Sequence, residues 1–118
     1  MPTKEYYFEL IEKEFSTARE ALKMGNDGKA RVCARRAAGL AIAWFLSEHP
    51  NPAWGMDAMT QLLHLKEDPE FPQEIRDAAI HLTTKISERF TYPFSSDPMA
   101  DARLIVHYFQ SRMDANAS

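Results

Sequence analysis

Hydrophobic residues recur every three or four positions in five successive segments of this chain, which is the spacing of amphipathic helices. The first three segments run from about Lys4 to Met24, from about Gly28 to Glu48 and from Met56 to Lys66. The fourth begins near Pro72 and the fifth near Pro98. Proline suits the first turn of a helix, because its missing N–H group would have no partner there. The pattern therefore predicts five helices.

The segment from Lys29 to Ser47 is the centre of the predicted fold. Its second half is apolar almost all the way round, so other helices must cover it on every side. The GNDG stretch before it ends the first helix and leaves only a short connection, which makes the first two helices an antiparallel hairpin. We expect a single all-α domain over residues 1–118, a five-helix up-and-down bundle that starts with this hairpin, with 114–118 as a frayed tail.

Two stretches do not fit the helical pattern. Residues 50–56 follow a proline-containing break and are expected to form a loop, in which Trp54 is either a lid on the core or an exposed contact. Residues 89–98 contain three aromatic residues within five positions, and Pro93 argues against strand pairing. We expect this second stretch to be an extended loop that packs its aromatic rings on the domain or on a second subunit.

Composition and charge narrow the classes of function. The chain has 118 residues, of which 45% are hydrophobic and 26% charged, as in ordinary soluble domains. A net charge of −3 gives no general attraction to nucleic acid, so any phosphate binding must be local. The single cysteine, Cys33, excludes an internal disulfide and a cysteine-rich zinc site. The longest apolar run, 37–46, is too short for a membrane span, and the charged N-terminal stretch does not resemble a signal peptide, so we expect a cytoplasmic protein.

Basic residues are concentrated in the first half of the second helix. The helix dipole disfavours positive charge at this end, so we expect something acidic to compensate the charges of Lys29, Arg31, Arg35 and Arg36. The acid-rich first helix beside them is one candidate, and an anionic ligand or partner is the other.

Two Arg/His pairs have the residue types of a phosphodiester-cleaving site, in which arginine stabilises the phosphorane charge and histidine moves the proton. Arg76 and His81 lie about 140° apart around a helix, so they would converge best in a bent segment or across a dimer. Arg103 and His107 are one turn apart and share a face. Asp77 and His81 supply only two metal ligands, so we expect a surface ion pair there, and we expect no metal and no cofactor.

The layout resembles the HEPN family, the higher eukaryote and prokaryote nucleotide-binding domain. The resemblance rests on a long amphipathic first helix, a tight turn, and an alanine-rich second helix with the sequence KARVCARRAAGLAIAWFL. It continues through IRDAAIHLTTKISERFTYPFSSDPMADARLIVHYF, where a helix, an irregular aromatic loop and a closing helix that opens near Asp101-Ala102 follow one another. It covers nearly the whole chain.

The resemblance implies a helical bundle that dimerises and contacts nucleotides or RNA. Some family members pair with minimal nucleotidyltransferases in two-gene modules, often of toxin–antitoxin type. Ribonuclease members carry an Arg-polar-x3-His motif, usually at or near the start of the last long helix. The letters RDAAIH, with Arg76, Asp77 and His81, match this motif within the fourth helix.

Three hypotheses follow. The first is a nucleotide- or RNA-associated binding module that forms a homodimer and has a minimal nucleotidyltransferase as a further partner. The second is a metal-independent ribonuclease that uses Arg76 and His81, and the third is a structural dimeric scaffold without a ligand. In the binding hypothesis Tyr92 and Phe94 stack on a base or form the dimer seam, and the anion contacts come from five residues: Arg31, Arg35, Arg36, Arg76 and Arg103. Each of these residues also fits surface ion pairing or core packing.

Overall fold

A computed structural model describes residues 3–84 and 97–116, with side chains as far as residue 113. In these ranges the chain forms no β-strand, and its five helices confirm the predicted bundle. They are α1 (Lys4–Lys23), α2 (Asp27–Glu48), α3 (Ala58–Glu67), α4 (Gln73–Thr83) and α5 (Pro98–Asn116). None of these helices combines the length and apolar character needed to cross a membrane.

Short polar side chains cap α1, α2 and α5 at their N-terminal ends. Thr3, Asn26 and Asp97 each accept a hydrogen bond from the backbone N–H three residues ahead, at 3.2, 3.0 and 2.7 Å. These bonds satisfy N–H groups that have no partner within their own helices. Gly25 adopts a φ of +73°, which allows α1 to turn into α2 within three residues. The predicted helical hairpin is therefore confirmed.

Helix α2 is the centre of the bundle and contacts the other four helices. A seam of four alanines along it is fully buried, and these small side chains let neighbouring helices approach closely: Ala34, Ala37, Ala38 and Ala41. Larger rings fill the far end, where the Phe45 centroid lies 5.1 Å from that of Phe109 and 6.2 Å from that of Phe71. The description of α2 as a covered central helix is confirmed.

The connection between α2 and α3 is more regular than the loop we expected over residues 50–56. Pro52–Trp54 forms a 3-10 turn, and the Asn51 side chain accepts a hydrogen bond from Ala53 N at 3.2 Å. Trp54 is buried, with its ring 5.8 Å from that of Phe71, so it is a lid on the core. Helix α3 starts two residues later than predicted. The expected aromatic loop over residues 89–98 lies almost wholly outside the described residues.

Candidate anion-binding surface on the last helix

Arg31, one of the predicted anion-binding residues, is buried inside the bundle with 6% of its surface exposed. Its Nη2 lies 3.3 Å from the carbonyl oxygen of His81 and 3.1 Å from that of Leu82, and it also donates to the carbonyl of Thr84. These carbonyls belong to the C-terminal end of α4, where the last turn has no intrahelical donors. Arg31 therefore caps α4 from the neighbouring helix.

Arg35 and Arg36 differ in their surroundings. Arg35 is half-buried, and burial lowers the pKa of its guanidinium. Arg36 is exposed, and its Nη1 lies 4.0 Å from Oε1 of Glu14 on α1. The acidic first helix thus supplies the partner of Arg36, as one of our two alternatives expected, although an exposed pair of this kind stabilises a protein by only about 0–1 kcal/mol.

Arg76 packs back toward the preceding helix. Its Nε donates to the carbonyl of Lys66 at 3.2 Å, and its Nη1 donates to Oε1 of Gln73 at 3.3 Å. Both bonds hold the guanidinium near the end of α3 and the start of α4. The guanidinium is therefore engaged with backbone and side-chain groups of its own neighbourhood.

His81 is held by a different helix. Its Nδ1 lies 3.1 Å from Oδ1 of Asp101, a carboxylate of α5 that is buried. The surface ion pair that we expected between Asp77 and His81 is not formed, because Asp77 accepts a hydrogen bond from Gln73 Nε2 at 2.8 Å. Arg76 and His81 thus contact different groups, and the Arg-x4-His spacing does not by itself bring them to one point.

The part of the chain that the structure describes contains neither a metal-binding site nor a reactive thiol. No three His, Cys, Asp or Glu side chains come together there in a way that would hold a metal ion. The Cys33 thiol is buried, and burial, followed by the nearby charge of Glu14, raises its pKa. A raised pKa keeps the thiol protonated and unreactive at neutral pH.

The second Arg/His pair does share a site. Arg103 and His107 line one cleft of about 300 Å³ between α1 and α5, together with Glu12 and the rings of Phe8 and Phe15. The Arg103 Cζ atom lies 4.1 Å from the centroid of the Phe15 ring. The ring holds the guanidinium by a cation–π contact while its N–H groups stay at the surface.

Two further clefts continue from the first along α5. His107 also lines a cleft of about 500 Å³ between α4 and α5, which ends at Arg112. Arg112 in turn lines a cleft of about 270 Å³ beside the C-terminal end of α2. We call the three clefts, with Arg103, His107 and Arg112, the α5 surface. The two arginines lie about 13 Å apart along the helix axis and on opposite edges of its exposed face.

Arg112 is the functional candidate that the sequence did not reveal. Its Nη1 donates to the Tyr108 hydroxyl at 2.7 Å, and its Cζ lies 5.8 Å from the ring centroids of both Phe45 and Phe71. The sequence does contain one indication of this site, since Arg103, His107 and Arg112 are basic residues of one predicted helix. The rings beside Arg112, however, come from α2 and from the segment before α4, which are distant in sequence.

The exposed charged side chains that the structure describes on α5 are both basic. Among its described residues, the charged side chains that reach solvent are Arg103 and Arg112, since Asp101 is buried. The clefts of the α5 surface also contain four acidic residues, so this surface carries charges of both signs: Glu12, Glu74, Asp68 and Glu70. The predicted stacking residues Tyr92 and Phe94 lie outside the described residues.

No family model, curated protein or solved structure matches this chain.

Proposed function

We propose that this protein is a HEPN-like module that binds single-stranded RNA or its nucleotides on the α5 surface. The observation that supports it is the arrangement of exposed cations along clefts lined by aromatic rings. Guanidinium groups bind phosphates, and rings or planar side chains stack on unpaired bases. Of the five arginines predicted to contact an anion, Arg103 best fits this role, and Arg112 joins it.

Preorganisation favours this surface over the basic half of α2. The Phe15 ring positions Arg103, and Tyr108 with two neighbouring rings positions Arg112, so less side-chain freedom is lost when phosphate binds. Arg31 is buried, and its Nη2 is hydrogen-bonded to carbonyl groups of α4. Arg31 is therefore a poorer candidate for contact with an external anion.

Fluorescence anisotropy with a labelled single-stranded RNA of ten nucleotides tests the proposal. We expect Arg103→Gln and Arg112→Gln each to weaken binding about tenfold, since a charge-assisted hydrogen bond contributes about 1.5 kcal/mol or more. Arg19→Gln is the matched control, because Arg19 is exposed on α1 and the net charge changes equally. Failure of the wild-type protein to bind, or an equal loss in the control, would contradict the proposal.

A ribonuclease is the second candidate, and the pair His81–Asp101 favours it. A carboxylate 3.1 Å from Nδ1 can orient an imidazole as a general base, while Arg76 would stabilise the phosphorane charge. Incubation with RNA in the presence of chelator should then give cleavage products that disappear in His81→Ala. His64→Ala is the control, because His64 lies on α3 and lines none of the clefts of the α5 surface. Cleavage that survives in His81→Ala would rule out this assignment.

The homodimer and the pairing with a minimal nucleotidyltransferase form part of the proposal, supported by the family resemblance. Sedimentation velocity of the purified chain, alone and mixed with such an enzyme, tests both. A dimer is expected for the chain alone and a larger complex for the mixture. A monomer in both samples would contradict these two expectations and leave the RNA-binding proposal to its own test.

A further inference from the structure

The cleft of about 270 Å³ beside Arg112 has an aromatic floor, and we call it the ring pocket. Its centre is Phe71, which is buried and has four other ring centroids between 5.8 and 6.2 Å from its own: Phe45, Trp54, Tyr108 and Phe109. Rings packed edge to face in this way form a stiff apolar wall.

Two planar polar groups stand beside this floor. The exposed His49 ring stacks on Phe45 with a centroid distance of 4.8 Å and an interplanar angle of 30°. The guanidinium of Arg112 lies 5.8 Å from the centroid of the same ring. Imidazole and guanidinium planes are groups on which unpaired bases stack in nucleic-acid-binding proteins. The ring pocket therefore offers stacking surfaces next to a phosphate-binding cation.

Two acidic residues, Asp68 and Glu70, line the same pocket. Oδ1 of Asp68 accepts a hydrogen bond from the backbone N–H of Glu70 at 2.9 Å, which fixes the turn between α3 and α4. The Glu70 carboxylate is exposed, and within the described residues it forms no salt bridge. A carboxylate offers two acceptor oxygens and no donor. The polar edge of a bound base must therefore present donors to it.

Guanine is the base whose edge meets this requirement. Its N1–H and N2–H groups are adjacent donors that match the two oxygens of one carboxylate. Adenine and cytosine place a ring-nitrogen acceptor beside their amino group, and uracil places its single N–H between two carbonyl acceptors. We propose that the ring pocket binds a guanine base, with Glu70 accepting from its N1–H and N2–H groups and Arg112 contacting its phosphate. This inference rests on the proposed nucleotide binding of the α5 surface.

Calorimetric titration of the full chain with GMP, AMP, CMP and UMP tests the inference. We expect GMP to bind about tenfold more tightly than the others, since two charge-assisted hydrogen bonds distinguish it. Glu70→Gln should reduce that preference to less than about twofold, because the amide offers one donor and one acceptor in place of two acceptors. Glu67→Gln is the matched control, since Glu67 is an exposed residue at the end of α3.

The outcomes separate this inference from the proposed function. Equal binding of the four nucleotides, weakened in Arg112→Gln, would overturn the guanine assignment and leave the proposed function standing. Absence of binding to both RNA and nucleotides would overturn both. A GMP preference that persists in Glu70→Gln would place the base elsewhere and overturn the inference. Quenching of Trp54 fluorescence by GMP in a Trp44→Phe background is expected, because Trp54 lines the ring pocket, and its absence would also count against the inference.

Discussion

Arg31 and Asp101 are the charged side chains that are buried in the described part of the chain, with 6% and 1% of their surfaces exposed. Both contact His81, Arg31 through the backbone carbonyl and Asp101 through the imidazole Nδ1. Because buried charges are costly unless they are paired and hydrogen-bonded, these contacts tie α2 and α5 to the C-terminal end of α4. The resulting cluster fixes the position at which α4 ends.

Replacing Arg31 by methionine should lower the free energy of unfolding by about 3 kcal/mol, because each buried polar group left unsatisfied costs about 1–3 kcal/mol. Methionine keeps the apolar stem but removes the donor to the carbonyls of His81, Leu82 and Thr84. Urea denaturation followed by circular dichroism measures the change.

Arg36→Met is the control for this substitution, since Arg36 lies on the same helix but is exposed, and its contact with Glu14 is a long one of 4.0 Å. We expect its stability to change by less than about 1 kcal/mol. Equal losses in the two variants would mean that the buried hydrogen bonds of Arg31 are not what stabilises this end of α4.

At the scale of elements, α2 and α3 approach each other closely at Gly39. A Cβ atom added at Gly39 would lie 2.5 Å from Cβ and 3.1 Å from Cα of Ala58, the first residue of α3. The second of these atoms is backbone, so α3 itself would have to move. Gly39→Ala should therefore destabilise the protein by about 1–3 kcal/mol, the usual cost of overpacking, as measured by urea denaturation.

Gly28→Ala provides the opposite case in the first turn of α2. Its added Cβ would meet only the Asn26 side-chain oxygen, at 3.9 Å. Because alanine favours helix over glycine by up to about 1 kcal/mol, we expect this variant to be as stable as the wild type or more stable. If Gly28→Ala destabilises the protein as Gly39→Ala does, helix propensity and close approach do not explain why glycine occupies these two positions.

The helices could be predicted because their signals are local. Apolar spacing and the caps Thr3, Asn26 and Asp97 act within a few residues, and the hairpin follows from a three-residue connection. The 3-10 turn at Pro52–Trp54 could not be predicted in this way, because three residues are too few to show an apolar period. The start of α3 was missed because the apolar Met56 lies outside the helix and is exposed.

The candidate site was harder to predict from the sequence, because the residues that contact one another there are far apart along the chain. The carbonyls that Arg31 contacts lie 50 to 53 residues away, so no local pattern indicates that this arginine is buried. The pairing of Arg103 and His107 could be predicted, since it depends only on helical spacing. The rings beside Arg112, from Phe45 and Phe71, are joined to it only by the packing of the bundle.

At the scale of the whole molecule, the net charge of −3 means that the long-range field does not attract RNA. Binding on the α5 surface must then come from a few short-range phosphate contacts. The salt dependence of the binding constant should give the number of these contacts. For single strands, each neutralised phosphate contributes about −0.7 to the slope of log K against log salt concentration.

With Arg103 and Arg112 each neutralising one phosphate, the expected slope for the wild-type protein is about −1.4, measured by anisotropy over a salt series. Each Arg→Gln variant should reduce its magnitude by about 0.7, and the double variant should bring it close to zero. Arg19→Gln should leave the slope unchanged, because Arg19 lies on α1 away from the clefts of the α5 surface. A double variant that keeps the wild-type slope would mean that the phosphates are bound elsewhere on the molecule.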